Sequence, residues 1–315
     1  MQLSNSYCQP LRSITFMVAI SLVVGTINPS QAQQLEPRAY ANAPIGVNFV
    51  SLAYAWSNGN ILLDPALPIE DLDADIHVGM LLLSHAFSIG GDNAKFKFAL
   101  PWQAGDWEGS IEKIPESQKE QGIGDAWFGL DWLFSGAPAL TLAEFPRYQP
   151  SRVYGMGLRL SVPSGDYDSQ ELLNLGSNRW SLRSELSAAQ TWEQWTLEGV
   201  AGVRIFSDNN DFLGSRKLEQ KPIWSLKGSA IYSLPRPGWW TSFSLAYGEG
   251  GKTRVDGVSK NTKQQNWRFG ATFSMPLAKR HGFSFRINSG INNGAGSDFD
   301  SVSLVYTYQM ATEGG

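Results

Sequence analysis

From Val47 onward the chain alternates apolar and polar residues with the two-residue period of a β-strand. The alternating segments run about 10 to 13 residues and are separated by clusters of Gly, Pro, Asn and Asp. In the segment Ile123 to Phe134, Ala126, Phe128, Leu130, Trp132 and Phe134 share one face, while Asp125, Gly129 and Asp131 share the other. A slip of one residue would exchange the two faces completely. The same parity sets Tyr154, Met156, Leu158, Leu160 and Val162 against Gly155, Gly157, Arg159 and Ser161. It sets Phe96, Phe98, Leu100 and Trp102 against Lys95 and Lys97, and Trp195, Leu197, Val203 and Ile205 against Glu198 and Arg204. Trp239 to Gly248 and Asn266 to Met275 repeat it, and weaker segments lie at 44–56, 76–87, 178–190, 222–234, 282–291 and 299–310. These amount to twelve strands.

Connection lengths organise the strands. Long connections at 57–75, 103–122, 163–177, 207–221 and 249–263 alternate with short ones near 88–93, 191–193, 235–237 and 276–281. That is the signature of a barrel in an outer membrane, with short turns on the periplasmic side, long loops outside and an even strand number. The connection 135–151 breaks the rule: it belongs to the short set yet is long, and Thr141 to Phe145 has the composition of one helical turn. Tryptophans at segment ends (Trp56, Trp102, Trp180, Trp192, Trp195, Trp224, Trp239 and Trp240) fit a girdle at the headgroup level, where an apolar ring and one N–H donor are both accommodated. The pattern therefore predicts an all-β fold: a transmembrane, antiparallel, up-and-down β-barrel of about twelve strands.

Upstream, the apolar run Ile14 to Gly25 follows Arg12 and ends in the small-residue exit Ser30-Gln31-Ala32. This predicts a secretory signal peptide over residues 1–32 and a barrel domain over 33–315. The run is too short for a helix to cross a hydrocarbon core, which needs roughly 20 residues. Cys8 leaves with the signal, so the mature chain would carry no cysteine. A net charge of −4 supplies no basic footprint for nucleic acid. Mean hydropathy is slightly negative, as expected where only alternate residues meet lipid.

Inward parity falls on charges of both signs: Asp125, Asp131, Arg159, Arg179, Arg183, Glu185, Glu198, Arg204, Lys227, Arg268 and Arg286. These are the candidate lumen-lining residues, either pairing across strands or lining a solute track. No single-sign ladder is evident along the chain, so strong charge selectivity is not expected. An enzyme would need a nucleophile near a histidine. His281 falls in a turn, His77 and His85 share a face with Leu81, Leu83 and Phe87, and no GxSxG motif is present. The oxygen-rich runs Asp208-Asn209-Asn210-Asp211 and Asp298-Phe299-Asp300 read as turn formers, because neither matches a twelve-residue calcium loop. No catalytic group, cofactor or metal is expected.

Several phrases together resemble the family of meta-pathway phenol-degradation outer-membrane transporters. They are Arg38 to Phe49 (RAYANAPIGVNF), Asp64-Pro65 with Pro68-Ile69-Glu70-Asp71, Gly122-Ile123-Gly124-Asp125, Leu173 to Trp180 (LNLGSNRW) and Asp298-Phe299-Asp300. The set covers nearly all of the mature chain. The resemblance implies a channel-like outer-membrane protein of a kind that passes small or hydrophobic, often aromatic, molecules; it implies nothing about this chain's own substrate and carries no catalytic residues with it. The expected partners are outer-membrane lipid, the barrel assembly machinery and a small solute. The chain departs from the usual barrel ending, a final aromatic residue, since Tyr306, Tyr308 and Met310 are followed by Ala-Thr-Glu-Gly-Gly. The alternative function is a closed structural or surface-binding barrel, which a filled lumen would favour.

Overall fold

A computed structural model describes residues 35–60, 66, 70–111, 114–292 and 298–311. The signal-peptide expectation and, of the family-like phrases, Asp64-Pro65 and Pro68-Ile69 fall outside the described residues. In chain order the strands are β1 (Val47–Asn60), β2 (Glu70–Ile89), β3 (Asp92–Ile111), β4 (Ile114–Ile123), β5 (Trp127–Ser135), β6 (Arg152–Ser161), β7 (Ser181–Trp192), β8 (Trp195–Phe206), β9 (Asn209–Phe212), β10 (Arg216–Gln220), β11 (Ile223–Ser233), β12 (Trp240–Gly250), β13 (Thr253–Val255), β14 (Val258–Ser259), β15 (Gln264–Ala278), β16 (His281–Asn292) and β17 (Asp298–Ala311).

Twelve of these close an antiparallel barrel in the order β1, β2, β3, β5, β6, β7, β8, β11, β12, β15, β16, β17. Closure is made by β1 and β17, in register from Val47 opposite Ala311 to Asn60 opposite Asp298. Closing the sheet satisfies every backbone group without water, the requirement for strands in hydrocarbon. Among the described residues no helix is long and apolar enough to cross a membrane, so the crossing is made by strands.

Burial follows the alternation. Leu52, Phe96, Phe128, Leu130, Leu158, Leu186, Leu226, Phe243 and Leu304 are exposed on the outer wall, while Ser51, Asp131, Ser181, Glu185, Ser242 and Arg268 are buried on the inner side. This inverts the arrangement of a water-soluble protein, and it identifies the outer wall as the lipid-facing surface. On the side of both chain ends, β2–β3, β7–β8 and β15–β16 are joined by two-residue turns. Glu193 adopts φ 46° in the β7–β8 turn, as such tight turns require.

Two of the expected long loops are largely strand. β2 and β3 continue outward in register as far as Asp73 and Glu108 and, past a register shift, to Glu70 opposite Ser110, and β4 pairs with the outer part of β3 from Trp102 to Ile111. β4 is exposed or half-buried throughout, so no apolar-polar alternation marked it. The segment Ile123 to Phe134 is accordingly two pieces: β4 ends at Ile123 and β5 begins at Trp127, with a break where the Gly124 N–H donates to the Pro101 carbonyl. Beyond the outer rim, β9, β10, β13 and β14 form a separate small sheet. The long connection after β5 folds back onto the barrel mouth. Asn93 N–H donates to the Ala137 carbonyl, Ala139 N–H to Gly91 and Ile45 N–H to Leu140, so Ala137–Leu140 runs between β3 and the chain preceding β1. The expected helical turn is present as a turn over 142–144 and a 3₁₀ turn over Phe145–Arg147, entered where the Glu144 carboxylate accepts from both Thr141 N–H and Oγ1.

Candidate functional site

The lumen is occupied at the end nearer the chain termini by residues 35–46, a strap without regular structure. It turns at Arg38, whose φ of 64° is left-handed, with the Ala41 N–H donating to the Arg38 carbonyl. Backbone groups that water cannot reach need partners from the wall. Lys95 Nζ donates to the carbonyls of Ala39 and Ala41 at 2.8 and 2.9 Å, and Asn93 Nδ2 to that of Ala43 at 2.6 Å. Tyr40 is buried and donates to Glu185 at 2.8 Å. It lies against Gly157, where an added Cβ would stand 2.3 Å from the Tyr40 hydroxyl. The Arg38 guanidinium lies 5.4 Å from the Trp240 ring centroid. Glu36 meets Arg159 at 3.3 Å.

Arg159 is one of a row. The register places Arg159 directly opposite Arg183, and Arg183 directly opposite Arg204, all facing inward on β6, β7 and β8. This corrects the expectation that no single-sign ladder exists: spacing along one strand conceals a row formed across three. Like charges directly opposite on a sheet repel, and each arginine is compensated locally. Arg159 lies over the Trp127 ring at 3.9 Å in addition to its Glu36 contact. Arg183 meets Glu185 at 3.5 Å. Arg204 donates twice to Ser181 Oγ, and with Arg179 it flanks the Phe206 ring at 5.0 and 4.9 Å. The buried, inward Trp127 belongs to the other face from the one assigned to its strand's aromatic residues, and sequence reasoning passed it over.

The other candidates are placed as follows. Glu185 collects Lys227 at 2.6 Å as well as Tyr40 and Arg183. Asp131 pairs with Lys97 on neighbouring β3. Glu198 and Lys227 bound a small gap beneath the strap with Leu35, Glu36 and Tyr40. Arg286 is half-buried on β16. Arg268 lies over the Phe299 ring at 3.7 Å. Asp125 organises the β6–β7 loop by accepting from the N–H groups of Gly165 and Ser177 and from Ser177 Oγ.

At the opposite, outer end the lumen meets an apolar roof. Ile76 of β2, Trp107 of β3 and Phe299 of β17 pack with Leu173 of the β6–β7 loop, Phe212 of β9, Leu218 of β10 and Val255 of β13. Trp107 and Ile76 are 1% and 0% exposed, so the cluster is fully dry although it is built largely from segments outside the barrel wall. Elements from both sides of the barrel therefore meet across the outer mouth. The run Asp208 to Asp211 serves this arrangement: Asn209 accepts from Asn178 and donates to Tyr167, and Asp208 pairs with Lys217. Each histidine is tied to a neighbour: His77 to Tyr54, His85 to Asn48 and His281 to Tyr306, at 2.6 to 2.8 Å. Among the described residues no cluster of His, Cys, Asp and Glu could hold a metal ion.

In fold the chain is similar to the COG4313 outer membrane channel from Pseudomonas putida F1, with a TM-score of 0.73 and 20% identity, covering 88% of this chain and 100% of that one. It is also similar to the β domain of the Bordetella autotransporter Brka, with a TM-score of 0.52 and 11% identity, covering 84% and 100% of the two chains. No curated protein matches the sequence. A model of the family described as "Putative MetA-pathway of phenol degradation" matches residues 40–308, and the chain belongs to that family.

Proposed function

We propose that this member of the phenol-degradation family is an outer-membrane channel for small, hydrophobic, aromatic-class solutes. The observation that carries the reading is the apolar roof at the outer entrance. An entrance lined by Ile76, Trp107, Leu173, Phe212 and Phe299 disfavours hydrated ions and accepts apolar rings. The roof joins side chains on the outer ends of β2, β3 and β17 to side chains of the β6–β7 loop and the small outer sheet, so it can part along that contact without breaking the barrel ladder. Below it, residues 36–43 of the strap are held to the wall by side chains, and backbone bonds to it begin only at Ile45 and Gly46, so that stretch is likewise separable from the wall. Family membership supports the aromatic class of solute, and the channel fold supports transport. The barrel assembly machinery is the route by which such a chain reaches the membrane.

The experiment compares entry of a fluorescent naphthylamine probe into cells with an intact outer leaflet, with and without the protein. Expression should raise the initial rate several-fold. Equal rates would remove the reading and leave the closed structural barrel, which the strap and its buried ion pairs favour.

A further inference from the structure

We propose that the outer wall carries a binding site for a phosphorylated, multiply acylated glycolipid of the outer leaflet, in the groove between β11 and β12. A groove of about 650 Å³ opens there toward the membrane, lined by Trp224, Leu226 and Tyr247 below and by Lys221, Lys252 and Lys263 above. The lysines lie just beyond the outer ends of β11 and β12 and at the start of β15, at the level where headgroups begin. They are on the long-loop side of the barrel, opposite both chain ends.

Charge favours a phosphate. Glu249 is the one carboxylate lining the groove, and it is held by Lys263 and by the Tyr247 hydroxyl at 2.9 Å. Lys221 and Lys252 are exposed and make no ion pair among the described residues. The outer ends of β2, β3 and β4 have the opposite character, with Asp73, Asp75, Asp106, Glu108, Glu116 and Glu120. An anionic headgroup is therefore drawn to one side of the rim.

Shape favours an acyl chain below the charge. Trp224 and Leu226 are 64% and 62% exposed, among the least covered side chains of the lipid-facing wall. The next lipid-facing residue along β11 is Gly228, which lies directly opposite Gly199, itself opposite Ala188 on β7. A Cβ added at Gly199 would meet nothing within 4 Å, and one at Gly228 only a carbonyl oxygen at 4.0 Å. The wall is thus dented across β11, β8 and β7, from the β11 edge of the groove away from β12, where Gly228 faces Leu245. Two ammonium groups above an apolar dent match a phosphate joined to an acyl chain, and a dent three strands wide takes more than one chain.

The test uses the purified full-length barrel and native mass spectrometry, with bisphosphorylated hexa-acyl lipid A as the probe. Its enzymatically dephosphorylated form and dioleoyl phosphatidylglycerol serve as comparators. The wild type should retain the phosphorylated glycolipid at least tenfold better than either comparator. Lys221→Gln with Lys252→Gln should lower retention about tenfold, and Lys221→Arg with Lys252→Arg should restore it. Gly228→Leu, which fills the dent and leaves the charge alone, should lower it independently, so the site is tested even where one variant fails to fold. Unchanged retention in the glutamine pair, or equal retention of phosphatidylglycerol or of the dephosphorylated lipid, would overturn the proposal.

Discussion

The two ends of the lumen are closed by opposite chemistry. At the end nearer the termini, the strap is fastened by polar groups of the wall: Lys95 and Asn93 on its carbonyls, Glu185 on Tyr40 and Arg159 on Glu36. At the outer end, closure is a dry apolar cluster around Trp107. A polar closure inside a barrel is specific in geometry but small in net energy, because each contact replaces one made with water. An apolar closure is worth more per side chain and tolerates looser geometry. The inner plug is therefore the more exactly positioned of the two closures, and the roof is the stronger and the more permissive to apolar solutes.

The largest effect that separates the two ends is expected from Trp107→Ala. Removing a fully buried indole costs about 3–5 kcal/mol. The loss falls on the packing of the outer loops, so protease added to intact cells should cut residues 163–177 or 207–221 in the variant and spare them in the wild type. The inner plug should be untouched. Gly157→Leu addresses the other end. A side chain there occupies the space of the Tyr40 hydroxyl, and overpacking of this kind costs about 1–3 kcal/mol. It should expel the strap, leave the barrel folded and, in a Trp107→Ala background whose roof is parted, raise single-channel conductance several-fold. Unchanged conductance would mean that the strap does not limit passage.

The smallest effect sharpens the picture of the outer loops. Asp256, in the turn between β13 and β14, is held below the usual carboxylate range by hydrogen bonds from the Arg216 guanidinium and the Lys217 N–H. Its folded-state pKa is depressed, so its contribution is present above the ordinary carboxylate pKa and fades as pH falls through the lowered value. Protection of the Lys217 amide from hydrogen exchange, relative to its intrinsic rate at each pH, should fall in acid, and Asp256→Asn should flatten that response. The group is solvent-exposed, so global stability should barely move.

How much of this was legible in the chain depends on the range of the interactions involved. The twelve barrel strands were readable because lipid imposes a two-residue period on each strand separately. Tryptophans 180, 192, 195 and 224 are exposed at or beside strand ends as expected, whereas Trp102, also exposed, stands in the middle of β3 because that strand continues outward. Strand bounds erred where lipid stops acting: the outer parts of β2, β3 and β4 are paired but not alternating, so they read as loop and Trp107 read as a loop residue. The arginine row was missed because Arg159, Arg183 and Arg204 stand on three strands, and only register brings them opposite one another. The strap was missed as a plug because residues 35–46 carry no period, and their partners at Lys95, Arg159 and Glu185 lie far along the chain.

The amino-acid sequence by itself determined which side of each strand meets hydrocarbon, and hence that the sheet must close, because one polar residue turned the wrong way costs several kcal/mol in lipid. The tertiary structure alone decided what stands inside the barrel. Once the wall is closed, the lumen is a polar space in which neighbours are set by register and by the strap's path, and no local pattern along the chain encodes either.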